Sequence, residues 1–160
     1  MTTPAVRINR AVLLFAGAAF LIVMVAPDDD RFYWTPLVLG LSFLAAAAAG
    51  PRTSGPWAPA CVLVGWGAAV VFVRLAEPDL DTSGVYLAGA GAGVMAGTEL
   101  ARRGFAVDHT TLAVTLVAAG AFLALSTTAD IFADARTYAV LLGGLAVAQL
   151  VLAARRKEEP

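Results

Sequence analysis

The sequence has few of the residues on which soluble and catalytic proteins depend. It contains one cysteine, one histidine and one lysine, and only 14% of its 160 residues are charged. Soluble domains average about 25% charged residues, so this chain has too few charges to cover a water-facing surface. The lone Cys61 excludes an internal disulfide. The composition therefore indicates a membrane protein.

These scarcities also exclude several functional classes. The formal net charge of -1 does not provide the basic face that nucleic-acid binding needs. Lys157 lies in the polar C-terminal segment, so no lysine is available within an apolar helix for a retinal-type Schiff base. No H-E-x-x-H, P-loop or G-x-S-x-G pattern occurs along the chain. We expect no nucleic-acid partner, no catalytic or metal site, no cofactor and no enzymatic activity.

What the chain has in abundance is apolar sequence, which makes up 59% of its residues. The apolar runs approach the roughly 17 to 25 residues that a membrane-spanning helix needs. Pro27, Pro51 and Pro78 follow three of the runs, where proline is expected to end a helix. The sequence predicts an all-α integral membrane protein with one polytopic domain over residues 1–160 and six transmembrane helices, at about 11–26, 35–50, 57–75, 84–100, 110–128 and 137–154.

The basic residues predict the orientation of these helices. Eight of the 11 basic residues lie at the termini or in the loops on the same side; Arg31, Arg74 and Arg136 are the exceptions. The positive-inside rule then places both termini in the cytoplasm. The first run also resembles a signal peptide, but cleavage would place the C-terminal arginines outside, so we expect an uncleaved anchor. Ten arginines against one lysine favour a high-GC genome. We expect a multi-pass protein of a prokaryotic cytoplasmic membrane.

A helical hairpin recurs three times along the chain. Tyr33, Tyr86 and Tyr138 are spaced 53 and 52 residues apart, each with aspartates before it and an arginine after the following apolar run. This register predicts three repeated hairpins that enter the membrane in the same direction. The alternative is the general distribution of charges and aromatics found in membrane proteins.

Small residues are concentrated in the second helix of each hairpin. Gly89, Gly93 and Gly97 form two overlapping G-x-x-x-G spacings in the fourth run, and Gly143 and Gly144 lie in the sixth. Glycines let helix backbones approach closely in lipid. We expect the even-numbered helices to line the centre of the bundle, and the glycines to pack either within the chain or against a second copy or another membrane protein. The lipid bilayer is the remaining expected partner.

Two acidic residues have arginines at helical ion-pair spacing. Glu99 precedes Arg102 and Arg103 by three and four residues, and Arg74 precedes Glu77 by three. Side chains at these spacings lie alongside each other on a helix, so we expect local ion pairs. The alternative for Glu99 is a coupling-ion site, because a charge near the membrane interior is costly unless it has a function or a partner.

The polar residues before the fifth run complete the candidate sites. Asp108 is predicted to cap the fifth helix by accepting from first-turn amides. His109 is expected at the cytoplasmic interface, with pH sensing or proton handling as the alternative.

Two functions follow from these observations. The first is a structural, accessory or interaction component of the membrane, for which the glycine-rich helices are the evidence. The alternative is a small-solute or ion transporter or channel that uses a polar cluster of Glu99, Asp108 and His109.

Overall fold

The structure, a computed structural model, describes residues 3–126 and 128–158 and contains no strand within these ranges. This confirms the all-α class. The six α-helices overlap the six predicted runs: α1 Pro4–Phe20, α2 Thr35–Ala48, α3 Trp57–Ala76, α4 Thr82–Arg102, α5 His109–Ser126 and α6 Ala135–Glu158.

The first helix begins earlier than its apolar run predicts. Thr3 caps it by accepting a hydrogen bond from the Val6 amide at 3.4 Å, and Pro4 occupies the first turn, where its missing N–H is no loss. At its far end α1 continues as a π-helical turn, Leu21–Val25. A 3-10 helix, Asp29–Trp34, then leads directly into α2. The first hairpin is therefore helical through most of its turn.

Backbone chemistry explains where α3 and α4 end and begin. Glu77 follows α3 in the left-handed region with φ 41°, and this conformation ends the helix. The Asp81 carboxylate accepts from the Gly84 amide at 2.6 Å and so caps the start of α4. Gly104 ends the turn after α4 with φ 80°, where glycine carries no steric penalty.

Among the described residues, four helical segments are long and apolar enough to cross a membrane: Pro4–Val25, Asp29–Ala48, Trp57–Ala76 and Ala135–Arg155. The apolar part of α5, His109–Leu125, is shorter. The fourth helix has 21 residues, but five of them are glycines that contribute no apolar side chain. The fold thus supports the membrane class, and four of its helices meet the criteria for a span.

The helices pack in the order α6, α1, α2, α3 and α4, with α5 against α3 and α4. The expectation that the even-numbered helices line the centre holds for α2 but is wrong for α4 and α6. Each of α1, α2 and α3 lies between two neighbours, whereas α4 packs mainly against α3 and α6 mainly against α1. Glycines on the odd helices allow this arrangement. A Cβ at Gly67 would overlap the backbone of α2 at Leu37, and one at Gly65 would overlap the backbone of α4.

In the part of the chain that the structure describes, buried side chains form two separate cores. The larger lies between α1, α2 and α6 and includes Leu14, Leu21 and Leu142. The smaller joins α3 to α5 through Ala58, Val62 and Leu112. We call the bundle end that carries Arg10, Arg52, Arg102 and Arg103 the basic end, and the opposite end, with Asp29, Asp30, Asp81 and Asp134, the acidic end.

Candidate functional site

The main feature of the bundle interior is a cavity of about 740 Å³ between the two cores. Its walls come from the 3-10 helix Asp29–Trp34 and from α2, α3, α5 and α6, with one residue from α4. Most of its lining side chains are apolar, among them Leu39, Phe43, Leu63, Trp66, Val70, Val114, Phe122, Leu141 and Leu145.

The cavity exists because α5 is held at its two ends and not in its middle. Near the basic end Leu112 packs into the smaller core. Near the acidic end the Phe122 ring packs against Tyr138, with 5.9 Å between the ring centroids. Between these contacts Ala118 and Ala119 line the cavity, and their small side chains leave the space open. The described parts of α5 and α6 do not pack along their lengths, so the cavity lies between them.

The cavity is elongated along the helices. On α3 its lining runs from Pro59 to Arg74, which are 15 residues apart. At about 1.5 Å rise per residue this is about 22 Å, against roughly 30 Å for the hydrocarbon core of a bilayer. Thr115 lies in the apolar part, but its hydroxyl donates to the Thr111 carbonyl at 2.7 Å and is satisfied. The deep part therefore presents apolar surface to any occupant.

The charged lining residues are confined to the acidic end. Asp29, Asp30 and Arg74 line this end of the cavity together with the rings of Tyr33 and Tyr86. We call these five residues the acidic mouth. The mouth places both signs of charge above an apolar chamber.

Arg74 corrects one prediction from the sequence, because it forms no ion pair with Glu77. Glu77 lies beyond the end of α3 in a left-handed conformation, so its side chain does not continue the helical three-residue spacing. Arg74 instead lines the cavity. The run predicted at 57–75 and Pro78 already placed Glu77 beyond the end of α3, so the three-residue spacing of a continuous helix did not apply to this pair.

All three tyrosines on which the hairpin repeat was anchored line this cavity. Tyr138 is buried, with 8% of its surface exposed, and its hydroxyl donates to the Phe132 carbonyl at 2.7 Å. Tyr33 stacks at a tilt against Trp34, with 5.5 Å between ring centroids. The sequence showed the regular spacing of these tyrosines and did not reveal the space that they surround.

Glu99 lies at the basic end and forms the predicted ion pairs. Its carboxylate is 2.9 Å from Arg103 Nε and 3.7 Å from Arg102 Nη1, and all three side chains are exposed. The local ion pair is therefore confirmed. Exposed pairs of this kind contribute little to stability, about 0 to 1 kcal/mol.

Asp108 has the predicted capping role. Its carboxylate accepts from the Thr111 amide at 2.7 Å and from the Thr111 hydroxyl. These hydrogen bonds hold the pKa of Asp108 below its ordinary value, and the one from the Thr111 hydroxyl has the largest effect. His109 is exposed at the start of α5. Neither residue lines the cavity, and Glu99 does not line it either.

The glycines of α4 pack as predicted within the chain. A Cβ at Gly93 would overlap the Cys61 carbonyl and come within 2.9 Å of Val62 Cα. A Cβ at Gly89 would overlap Ala69, and one at Gly97 would lie 2.8 Å from a methyl of Leu112. These three glycines bring α4 close to α3 and α5.

The two predicted glycines of α6 behave differently. A Cβ at Gly143 or Gly144 would meet no atom within 4 Å, so the described chain does not use them for close helix approach. The face of α6 that enters the larger core carries Ala139, Leu142 and Ala146 instead. For Gly143 and Gly144 the predicted packing role stays open for contact with a second copy or another protein.

The sequence did not indicate that Arg10 is buried inside the bundle. Arg10 is 6% exposed, and its Nε donates to the Ala46 carbonyl at 3.0 Å. Its Nη2 donates to the Ser54 carbonyl at 2.9 Å and to the Ser54 hydroxyl at 3.1 Å. A Cβ at Gly50 would overlap Nη2, and one at Gly55 would lie 3.0 Å from it. Arg10 thus ties the start of α1 to the end of α2, and these glycines make room for it.

Metal binding finds no support in the geometry. Across residues 3–126 and 128–158, no group of three or more His, Cys, Asp or Glu side chains is placed to hold a metal ion.

The chain matches no protein-family model, and no curated protein or solved structure is significantly similar to it.

Proposed function

We propose that the protein is an accessory component of the cytoplasmic membrane that binds a long apolar molecule, such as a lipid acyl chain, in the cavity between α2, α3, α5 and α6. The observation that carries this proposal is the cavity of about 740 Å³ with apolar walls. Pockets that bury small organic ligands have volumes of about 300 to 1,000 Å³ and are mostly apolar with few polar groups.

The shape of the cavity favours a chain-like occupant. The lining extends about 22 Å along α3, more than half of the roughly 30 Å hydrocarbon thickness. Side chains around an unfilled space lose the dispersion contacts that a close-packed interior provides. An acyl chain parallel to the helices would restore these contacts without requiring hydrogen bonds from the deep part of the cavity.

Filling the cavity tests the proposal. Ala118 lines the cavity, whereas Ala113 is exposed on the same helix. We expect Ala118→Phe to remove co-purified lipid, as detected by native mass spectrometry in mild detergent, and to reduce quenching of Trp66 by lipids with brominated acyl chains. Ala113→Phe adds the same ring outside the cavity and should retain both signals. Equal lipid binding by the two variants would contradict binding in the cavity.

The proposal includes six membrane-spanning helices with both termini in the cytoplasm. It is supported by the eight basic residues on one side and by the acidic turns on the other. In a Cys61→Ala background, Ser54→Cys and Gly104→Cys should resist a membrane-impermeant thiol reagent in intact cells. Thr82→Cys and Ala133→Cys should react. Labelling at Gly104→Cys would exclude this topology.

The threefold hairpin repeat is part of the same proposal. Its support is that Tyr33, Tyr86 and Tyr138, one from each hairpin, meet around one cavity. The first two hairpins close by direct packing of their helices, whereas the third separates α5 from α6. We propose that this separation adapts the third hairpin to hold the cavity open.

Transport through a Glu99, Asp108 and His109 cluster is the alternative. These residues lie at the basic end, where Glu99 and Asp108 already have partners. Flux in liposomes that is unchanged by Glu99→Gln would argue against this alternative.

A further inference from the structure

We infer that the acidic mouth selects lipids whose headgroup carries both a phosphate and an ammonium group. The inference rests on the proposed function, because it assigns the headgroup of a lipid whose acyl chain occupies the cavity. It concerns Asp29, Asp30, Tyr33, Arg74 and Tyr86, which line the same end of that cavity.

The charges of the mouth are not neutralised by the chain itself. Among the described residues, neither the Arg74 guanidinium nor the carboxylates of Asp29 and Asp30 form an ion pair, although all three line one cavity. The neighbouring Asp28 and Arg31 do pair, at 3.0 Å. The mouth thus keeps one cation and two anions free for a ligand.

Each free charge fits one part of a phosphate and ammonium headgroup. The planar guanidinium of Arg74 presents N–H donors that match phosphate oxygens. The carboxylates of Asp29 and Asp30 attract an ammonium group, and Tyr33 and Tyr86, which line the same end, have rings of the type that attracts cations.

Lipids with a single headgroup charge fit less well. An anionic phosphate headgroup would pair with Arg74 but would face two carboxylates, Asp29 and Asp30, with no cation of its own to offer them. A cationic headgroup would pair with these carboxylates and leave Arg74 repelling it. A headgroup with both charges pairs favourably with all three residues.

A competition assay tests this selectivity. In a protein that retains Trp66 after Trp34→Phe and Trp57→Phe, a lipid with brominated acyl chains quenches the fluorescence from within the cavity. Unlabelled lipids with identical chains then compete: one zwitterionic with phosphate and ammonium, one anionic with phosphate, and one cationic with ammonium. We expect the zwitterionic lipid to compete at least about tenfold better than either of the others, roughly the effect of one charge-assisted hydrogen bond.

Charge variants assign the two halves of the headgroup. Arg74→Gln should make the cationic lipid compete as well as the zwitterionic one, and Arg74→Lys should restore part of the difference. The double substitution Asp29→Asn with Asp30→Asn should make the anionic lipid compete as well as the zwitterionic one. Arg31→Gln is the matched control, because Arg31 lies at the same end but is paired with Asp28 and does not line the cavity.

The outcomes separate this inference from the proposed function. Equal competition by all three lipids, with the block by Ala118→Phe intact, would overturn headgroup selection and leave chain binding in place. Loss of quenching by every brominated lipid, in protein whose native mass spectrum shows the folded species, would overturn both. Competition by free phosphoethanolamine as strong as by the zwitterionic lipid would overturn recognition of a lipid. Native mass spectra of each variant in lipid mixtures provide a second readout that does not depend on the tryptophan substitutions.

Discussion

Among the arginines whose contacts the structure describes, we expect Arg10 to contribute most to the stability of the folded protein. Its guanidinium is buried and donates three hydrogen bonds to uncharged acceptors on Ala46 and Ser54. Hydrogen bonds that involve a charged group contribute about 1.5 to 3 kcal/mol each, and contributions that share one side chain are not additive.

Replacing Arg10 by alanine removes the donors and takes this partner from the buried Ala46 carbonyl and from the half-buried Ser54 carbonyl. We expect Arg10→Ala to lower the free energy of unfolding by about 3 to 5 kcal/mol, in the range of a broken buried network. Arg10→Lys should recover part of this loss, because a compact ammonium keeps the charge but lacks the guanidinium fork.

The assay is reversible unfolding in mixed micelles, followed by circular dichroism as the fraction of denaturing detergent rises. Arg31→Ala is the control, because Arg31 is exposed and has one surface ion pair, worth at most about 1 kcal/mol. The double substitution Gly50→Ala with Arg10→Ala should cost less than the sum of the two single ones, since the new methyl overlaps the guanidinium that is removed. Equal stability of Arg10→Ala and Arg31→Ala would refute the argument.

Two further predictions use the same preparations. Gly93→Ala should destabilise by about 1 to 3 kcal/mol because its methyl would overlap the backbone of α3. Gly91→Ala, with no atom within 4 Å, should be neutral or stabilising by up to about 1 kcal/mol, so equal losses by detergent titration would contradict the packing role. Because the pKa of Asp108 is lowered in the folded state, its stabilising contribution is complete above the ordinary aspartate pKa and is lost as the pH falls through the lowered value. Asp108→Asn caps without titrating and should show a smaller fall of Tm in acid, whereas Asp79→Asn should behave as the wild type; identical acid sensitivity in all three proteins would disprove the linkage.

Local interactions were predictable from the sequence because they join residues within one turn of a helix. The Glu99 ion pairs and the Asp108 cap have partners three or four residues away, and both appear in the structure. The ion pair predicted between Arg74 and Glu77 from their three-residue spacing does not form, because α3 ends between the two residues.

Contacts between helices were less predictable. A G-x-x-x-G spacing shows which glycines can approach a neighbour, but not which face the neighbour occupies. Gly93 therefore packs against α3 as predicted, while Gly143 and Gly144 meet open space. In the sequence, Arg10 was interpreted only as one of the basic residues that set the orientation of the chain. Gly50 and Gly55, the glycines between α2 and α3, were the sequence feature that could have indicated space for its large side chain.

The sequence by itself determined that the chain is helical and apolar, where its helices begin and end to within several residues, and some of the local contacts, among them the Glu99 ion pairs and the Asp108 cap. Periodicity, proline and charge act over a few residues, so they can be interpreted along the chain. Only the tertiary structure decided that α1 and α3 lie beside α2 in the middle of the packing order, that Arg10 is buried, and that a cavity lies between the two cores. The cavity joins residues from Asp29 to Leu145, and it depends on small side chains in the middle of α5 facing larger ones on three other helices. Such a cavity forms where helices that are distant in the sequence leave a volume between them unfilled. No local sequence pattern predicts this.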